Sequence, residues 1–403
     1  MLNITPSPAN LPPSLVVIDD EKAIGDLICD IADTLGYDTN AYTATSEFKS
    51  SLTGREDIIF VDLLMPDEDG VEILRYLASE HIDSQVVLIS GYDKRVLKSA
   101  SVLGKALGLN IAGELKKPFT LKEMKSVLNN CLIEQTASPS IHNDFTLQDL
   151  ELAIQQERVF VQYQPKINLT TGSTYGAEAL VRINTPDGKT IPPGQFIELA
   201  EKSGHIKDIT RIVLTDSIHF CKHLQSIGWD INIAVNVPSV LLTDVRFADE
   251  FIEQIELAGI KPSSFTVEIT ESALAENYAV SLDIVTRLRM RGIQLSIDDF
   301  GTGYSTLQQL KNFPFNEMKL DRSFVSDIHD DENKAIILKS IELAHDLGLD
   351  VLAEGVESKE IEQELLRNGC DHAQGYFYSR PVSEDIFIQH LQHSPATEHN
   401  KVM

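Results

Sequence analysis

The chain has 403 residues, with 34 basic and 61 acidic side chains and a formal charge of −27 at neutral pH. That length predicts two domains, and that charge excludes broad binding to duplex DNA, which needs a basic face. No apolar run is long enough to span a bilayer and no basic, apolar leader precedes the first strand, so a cytoplasmic protein without membrane insertion is expected.

Residues 1–14, with Pro6, Pro8, Pro12 and Pro13, read as a disordered lead. The cysteines Cys29, Cys131, Cys221 and Cys370 lack metal-type spacing and read as reduced, buried thiols. Residues 15–133 then alternate short apolar runs with amphipathic stretches. Leu15–Ile18, Ile58–Val61 and Val86–Ile89 have the composition of buried parallel strands, and Ala23–Leu35 and Val71–Leu77 that of helices. The pattern predicts a doubly wound α/β domain with its ligand site beyond the carboxyl ends of the strands. Polar residues stand there: Asp19 and Asp20 after the first run, Asp62 after the second, Ser90 after the third, and Lys117-Pro118 further on. A single aspartate after a strand is ordinarily a helix cap or turn residue. Several at one sheet edge, with a lysine, point to Mg²⁺ binding and a phosphoryl acceptor.

These positions, with Met65-Pro66, Gly70 and Gly91, resemble a response-regulator receiver domain. The resemblance implies that Asp62 is the phosphoacceptor, that Asp19 and Asp20 bind Mg²⁺, and that Ser90 and Lys117 read the phosphate. It also implies a sensor histidine kinase as partner. Two departures stand out: Glu114 replaces the usual aromatic residue three positions before Lys117, and the Ser90–Lys117 segment is longer than usual.

Residues 134–145 are polar, contain Pro139, lack an apolar period and read as a linker. A helix is expected from about Thr146, with Leu147, Leu150 and Ile154 on its apolar face. Residues 146–395 again alternate strand-like and helix-like segments over the length of one TIM-type barrel, and 396–403 read as a tail. Alternate residues of a strand face opposite sides. Glu178, Leu180 and Arg182 share a parity, as do Asn232, Ala234 and Asn236, then Thr266, Glu268 and Thr270, then Gln294, Ser296 and Asp298. The opposite parity is apolar and mostly branched, suited to packing under helices. The polar parity therefore points into the barrel. Carboxylates converging on one mouth repel each other unless cations are bound. Lys319 and Asp321, Glu354 and Glu357, and Gln374 follow later strands; the lysine reads either as a structural ion-pair partner or as a group that orients or deprotonates water.

The segments Glu178-Ala-Leu180, Asn236-Val-Pro238, Glu268-Ile-Thr-Glu271, Asp298-Asp-Phe-Gly301, Lys319-Leu-Asp321, Glu354-Gly-Val-Glu357 and Gln374-Gly-Tyr376 resemble, in order, an EAL domain. The resemblance implies a TIM-like (β/α)8 barrel that hydrolyses cyclic di-GMP to linear pGpG with two metal ions, Mg²⁺ or Mn²⁺. Carried over, Glu178, Asn236, Glu268 and Asp298 bind one metal, and Asp298 with Asp299 the second. Lys319 and Glu354 position and activate the attacking water, while Asp321 and Glu357 are outer or second-metal groups. Glu271 braces the loop from Asp299 through Tyr304, and Gln164, Arg182 and Gln374 hold substrate. The receiver–EAL architecture implies a homodimer or tetramer, with turnover modulated by phosphorylation of Asp62. Three other readings stand beside this one: a non-catalytic EAL domain that binds cyclic di-GMP and signals by contact, a glycoside hydrolase with paired carboxylates, and a receiver that serves only as a docking module.

Overall fold

The computed structural model describes residues 12–54, 56–91, 94–137, 145–301 and 307–393. The lead before residue 12, the tail from 394, and Tyr304 with its neighbours 302–306 lie outside the described residues. The chain divides into two compact units, Met1–Asn143 and Asp144–Met403.

The first unit holds five parallel strands: β1 (Ser14–Ile18), β2 (Asp38–Tyr42), β3 (Ile58–Asp62), β4 (Gln85–Ser90) and β5 (Asn110–Lys116), in the order β2-β1-β3-β4-β5. Every residue of β3 and β4 is buried, as expected for strands covered on both faces. Strand parity divides the sheet between two cores. Val16, Ile18, Ile59, Val61, Val86 and Leu88 pack on one face, and Leu15, Val17, Ile58, Phe60, Val87 and Ile89 on the other. Strand β2, Asp38-Thr-Asn-Ala-Tyr42, has no apolar run and is not legible as a strand; it lies at the sheet edge, paired only with β1. The last helix of the unit runs over Leu121–Ala137, so residues 134–137 belong to it and not to the linker read from the sequence.

The second unit opens as expected. Thr146 caps the Leu147–Gln155 helix through a reciprocal capping box with Asp149, and Leu150 and Ala153 are buried. Its strands are β6 (Val159–Asn168), β7 (Thr174–Asn184), β8 (Thr190–Ile191), β9 (Asn232–Asn236), β10 (Phe265–Thr270), β11 (Gln294–Phe300), β12 (Glu317–Leu320), β13 (Asp350–Ala353) and β14 (His372–Ala373). Eight of them close a ring, β6-β14-β13-β12-β11-β10-β9-β7 and back to β6, with β8 appended to β7. The barrel thus has the expected eight-strand ring, with one departure from the all-parallel TIM pattern. Strand β6 runs antiparallel to both β7 and β14. A tight turn at Asn168–Ser173 joins β6 to β7 as a hairpin, which leaves no room for a crossover helix.

The parity argument holds around the ring. Ala177, Ala179, Ile233, Val235, Val267, Ile269, Leu295, Ile297, Met318, Leu320, Val351 and Ala353 belong to the apolar layer, packed with residues of the surrounding helices such as Ile209, Phe251, Leu288 and Ile341. The other parity carries the polar interior.

Candidate active site

In the first unit Asp19 and Asp62 are almost fully buried at the carboxyl ends of β1 and β3. Lys117 Nζ lies 2.8 Å from an Asp19 carboxylate oxygen and 2.7 Å from Asp62 Oδ2. Oxygens of Asp19, Asp20 and Asp62 come within 4.8 Å of one another, and Ser90 is buried at the end of β4. Burial, opposed by the hydrogen bond from Lys117, raises the Asp19 carboxyl to about 6. The five sequence-read positions therefore stand at one sheet edge. Three carboxylates against one ammonium leave the pocket negative, which suits a divalent cation. Glu114 is exposed on β5.

In the barrel, Lys319 on β12 is fully buried and is the hub. Its Nζ lies 2.9 Å from Glu268 Oε2, 2.9 Å from Asp298 Oδ1, 2.8 Å from Glu354 Oε1 and 3.9 Å from Glu178 Oε1. Burial disfavours its charged form, but these carboxylates outweigh burial and raise the lysine well above its ordinary value. Lys319 is a held cation and not a poised base. Glu354 stands opposite in kind: burial raises it to about 8, only partly offset by Lys319. Burial also raises Glu178. Glu268 goes the other way, because Lys166 and Lys319 overcome its burial and hold it down at about 2.

Glu178 is fixed at both oxygens. Asn236 Nδ2 donates to Oε1 at 2.8 Å and Gln374 Nε2 to Oε2 at 2.5 Å. Gln374 Nε2 also lies 3.0 Å from Gln164 Oε1, and Gln164 Nε2 donates to the Ser379 carbonyl. A cavity of about 230 Å³ opens here, lined by Gln164, Glu178, Asp298, Lys319, Glu354 and Gln374 among others. A second of about 500 Å³ adjoins it across Leu180, with Asn236 and Glu268 on its wall and a largely apolar remainder.

Asp298 and Asp299, both carried over as ligands of the second metal, meet only through an irregularity of the strand. Alternation along a regular strand would separate them, Asp298 inward and Asp299 outward. Instead β11 runs on to Phe300, its register against β12 slips between Ile297 and Phe300, and Asp299 takes φ of 55°. Such a bulge re-aims a side chain. Carboxylate oxygens of Asp298, Asp299 and Glu354 now lie within 4.8 Å of one another. Burial, with Asp298 beside it, raises Asp299 to about 6. Glu354 thus stands with the metal-binding candidates as well as with Lys319. Glu271 is buried and accepts the Gly301 N–H at 3.1 Å, so it braces the described start of the loop.

Three sequence-read residues stand apart from this cluster. Asp321 accepts the Ser323 N–H at 2.9 Å and caps the short Arg322–Val325 helix. Glu357 is exposed and pairs with Arg322 at 3.0 Å, although it lines the cavity rim. Arg182 is engaged by Gln162 and the Val181 carbonyl beside the cavity, not in it. Sequence reading missed Lys166, Tyr175 and Glu317, which join below Glu268. The signal was available: Lys166 shares the parity of Gln164, and Glu317 that of Lys319.

A receiver-type sheet followed by an acidic, lysine-centred barrel mouth defines a class. Residues 15–129 match the response regulator receiver domain and residues 147–381 match the EAL domain, so the chain belongs to the EAL domain family, with a receiver domain preceding the barrel. Individual relatives agree. The chain is 32% identical over 345 residues to the cyclic di-GMP phosphodiesterase RocR of Pseudomonas aeruginosa, covering 85% of this chain and 88% of that protein. It is 35% identical over 266 residues to the bifunctional diguanylate cyclase/cyclic di-GMP phosphodiesterase MucR of the same organism, of which it spans 38%. A solved structure of the MucR phosphodiesterase in complex with c-di-GMP superimposes with a TM-score of 0.58 at 36% identity, over 60% of this chain and 98% of that one.

Proposed function

We propose that the chain is a two-component response regulator whose barrel hydrolyses cyclic di-GMP to linear pGpG, with turnover modulated by phosphorylation of Asp62. The observation that carries the catalytic reading is Lys319 ringed by Glu178, Glu268, Asp298 and Glu354, with Asp299 turned back toward Asp298 and Glu354. Five carboxylates against Lys319, with Lys166 shared between Glu268 and Glu317, call for added positive charge. Donors that are all oxygen, with no His or Cys among them, suit Mg²⁺ or Mn²⁺. Glu178, Asn236, Glu268 and Asp298 would hold one ion, and Asp298, Asp299 and Glu354 the other. Bound there, two divalent ions would supply Lewis acidity to the phosphodiester and lower the pKa of water.

The residues of the chain divide the remaining work. Gln164 and Gln374 bind and orient the substrate, and Arg182 joins them by releasing Gln162 and turning into the cavity. Lys319, unable to shed its proton among four carboxylates, orients the attacking water. With its carboxyl ionised by the positive charge of bound cations, Glu354 would accept a proton as water adds to phosphorus; the bond to the 3′ oxygen breaks, and a proton from solvent water completes the 3′ hydroxyl, leaving a 5′ phosphate. A lysine hub suits this chemistry better than glycoside cleavage, in which one carboxylate must be a proton donor and the other a nucleophile or base.

In the receiver, Mg²⁺ at Asp19, Asp20 and Asp62 would prepare Asp62 for a phosphoryl group from a sensor histidine kinase, with Ser90 and Lys117 on the new oxygens. Turnover of cyclic di-GMP with Mg²⁺, compared between wild type and Glu178→Ala, tests the catalytic reading: loss in the variant is expected, and equal rates overturn it. A phosphoryl analogue such as beryllofluoride is expected to change turnover in wild type but not in Asp62→Asn. If it leaves wild type unchanged, the coupling is absent.

A further inference from the structure

The polar interior of the barrel continues beneath the site. Lys166 on β6 is buried with its Nζ 2.7 Å from Glu268 Oε1 and 3.2 Å from Glu317 Oε1. Glu317 is held in turn by Ser296 Oγ and by the Tyr175 hydroxyl, each donating at 2.9 Å. A carboxylate at this depth is costly unless paired and hydrogen-bonded, and Glu317 meets both conditions. Gly176 on β7 lies beside the lysine stem: a Cβ there would make an ordinary contact with Lys166 Cδ at 3.7 Å but would press on the Asn232 carbonyl oxygen at 3.1 Å. Glu268 is therefore gripped from two directions. Lys319 takes Oε2 at 2.9 Å from the level of the cavity, and Lys166 takes Oε1 from the layer below.

We propose that Lys166, anchored on Glu317, is a positioning residue for the divalent-cation site. Its ammonium pins one oxygen of Glu268 and keeps the other directed at the cavity. This rests on the reading of Glu268 as a metal-binding residue. Lys319 cannot do the task alone, because it shares its three protons among several carboxylates. Among the described residues Lys166 pairs with Glu268 and Glu317 alone. A group that fixes the orientation of a metal-binding carboxylate tunes affinity without touching the ion, typically by about 10- to 100-fold. The competing reading makes Lys166 and Glu317 a buried ion pair that matters for stability alone.

The two are separated by removing the pair together. The double variant Lys166→Met with Glu317→Gln leaves the net charge of the interior unchanged, so a lost cation does not itself alter attraction for a metal. Replacing a buried ion pair by neutral groups of similar size is often tolerated. Lys166→Gln with Glu317→Gln provides a second charge-neutral version if the first does not fold. Full-length protein is used, with Asp20→Asn and Asp62→Asn in every sample to silence the receiver carboxylates. Mn²⁺ alone is titrated by calorimetry or electron paramagnetic resonance, without substrate. The expected result is at least about tenfold weaker Mn²⁺ binding, with Lys166→Arg recovering most of it. In turnover, kcat falls at subsaturating metal while KM for cyclic di-GMP stays within twofold. A folded double variant that binds Mn²⁺ as wild type does overturns the proposal, whatever its thermal stability. If wild type binds Mn²⁺ but does not turn over cyclic di-GMP, the functional reading fails while the Mn²⁺ comparison still decides the role of Lys166.

Discussion

In the proposed mechanism two residues touching at 2.8 Å, Lys319 and Glu354, divide the acid–base chemistry of the site. Carboxylates hold the lysine protonated, and burial raises the glutamate to about 8. The assignment predicts that Glu354→Gln lowers kcat by about 10²- to 10⁴-fold, the usual worth of a positioned base, with KM nearly unchanged; steady-state kinetics with Mg²⁺ check it. The same shifts predict how stability responds to pH in metal-free protein. Glu354, raised from 4.5 to about 8, and Asp299, raised from 3.8 to about 6, bind protons more tightly folded than unfolded, so stability is lost as pH rises from these ordinary values to the raised ones. Glu268 at about 2 has the opposite sign: its contribution is present above its ordinary value of 4.5 and is lost as pH falls toward 2. Thermal melts in chelator are expected to show greatest stability near pH 5, falling on both sides. Saturating Mg²⁺ is expected to remove most of the alkaline decline, because the cation replaces the protons. An alkaline limb unchanged by Mg²⁺ would contradict the assignment.

The end of β11 shows how one element converts a motif into a site. A regular strand would split Asp298 and Asp299 to opposite sides; the slipped register and the left-handed turn at Asp299 bring their carboxylates together. Aspartate tolerates that conformation better than most residues but at a cost that glycine avoids. Asp299→Gly should therefore keep urea-unfolding stability within about 1 kcal/mol of wild type, and Asp299→Ala should be about 1 kcal/mol less stable than Asp299→Gly. Both should lose turnover. A glycine variant that is both stable and active would remove Asp299 from the site. Polar parity located Glu178, Asn236, Glu268 and Lys319 because regular strands repeat every two residues. Asp321 and Glu357 lie past the ends of their strands, and Arg182, on the same parity of β7 as Glu178, stands four residues nearer its carboxyl end, where Gln162 and the Val181 carbonyl engage it. Strand β6 was overlooked as an element, and Lys166 with it, because its apolar alternation runs into Gln-Pro-Lys-Ile-Asn without an apolar run.

At the scale of the whole molecule, each unit has its own core and its own acidic site. Units with separate cores are able to fold alone. A fragment of residues 144–403 is expected to unfold cooperatively by itself and to retain cyclic di-GMP turnover with Mg²⁺, while losing any response to beryllofluoride. A fragment that folds yet is inactive would mean that the receiver supplies something the chemistry needs.

The sequence by itself determined the order of the two domains, the class of each, and the residues that supply charge. These are local properties: a strand ends, an apolar period stops, and a carboxylate stands where a buried segment meets solvent. Only the tertiary structure decided which groups share a contact. The closure of β6 against β7 and β14, the bulge that returns Asp299, and the ion pairs of Lys166 with Glu268 and Glu317 all join positions distant in the chain or depend on register between strands. Pairings of that kind are set by the packing of the whole barrel, because the free energy of a buried charge depends on which partner the fold delivers to it.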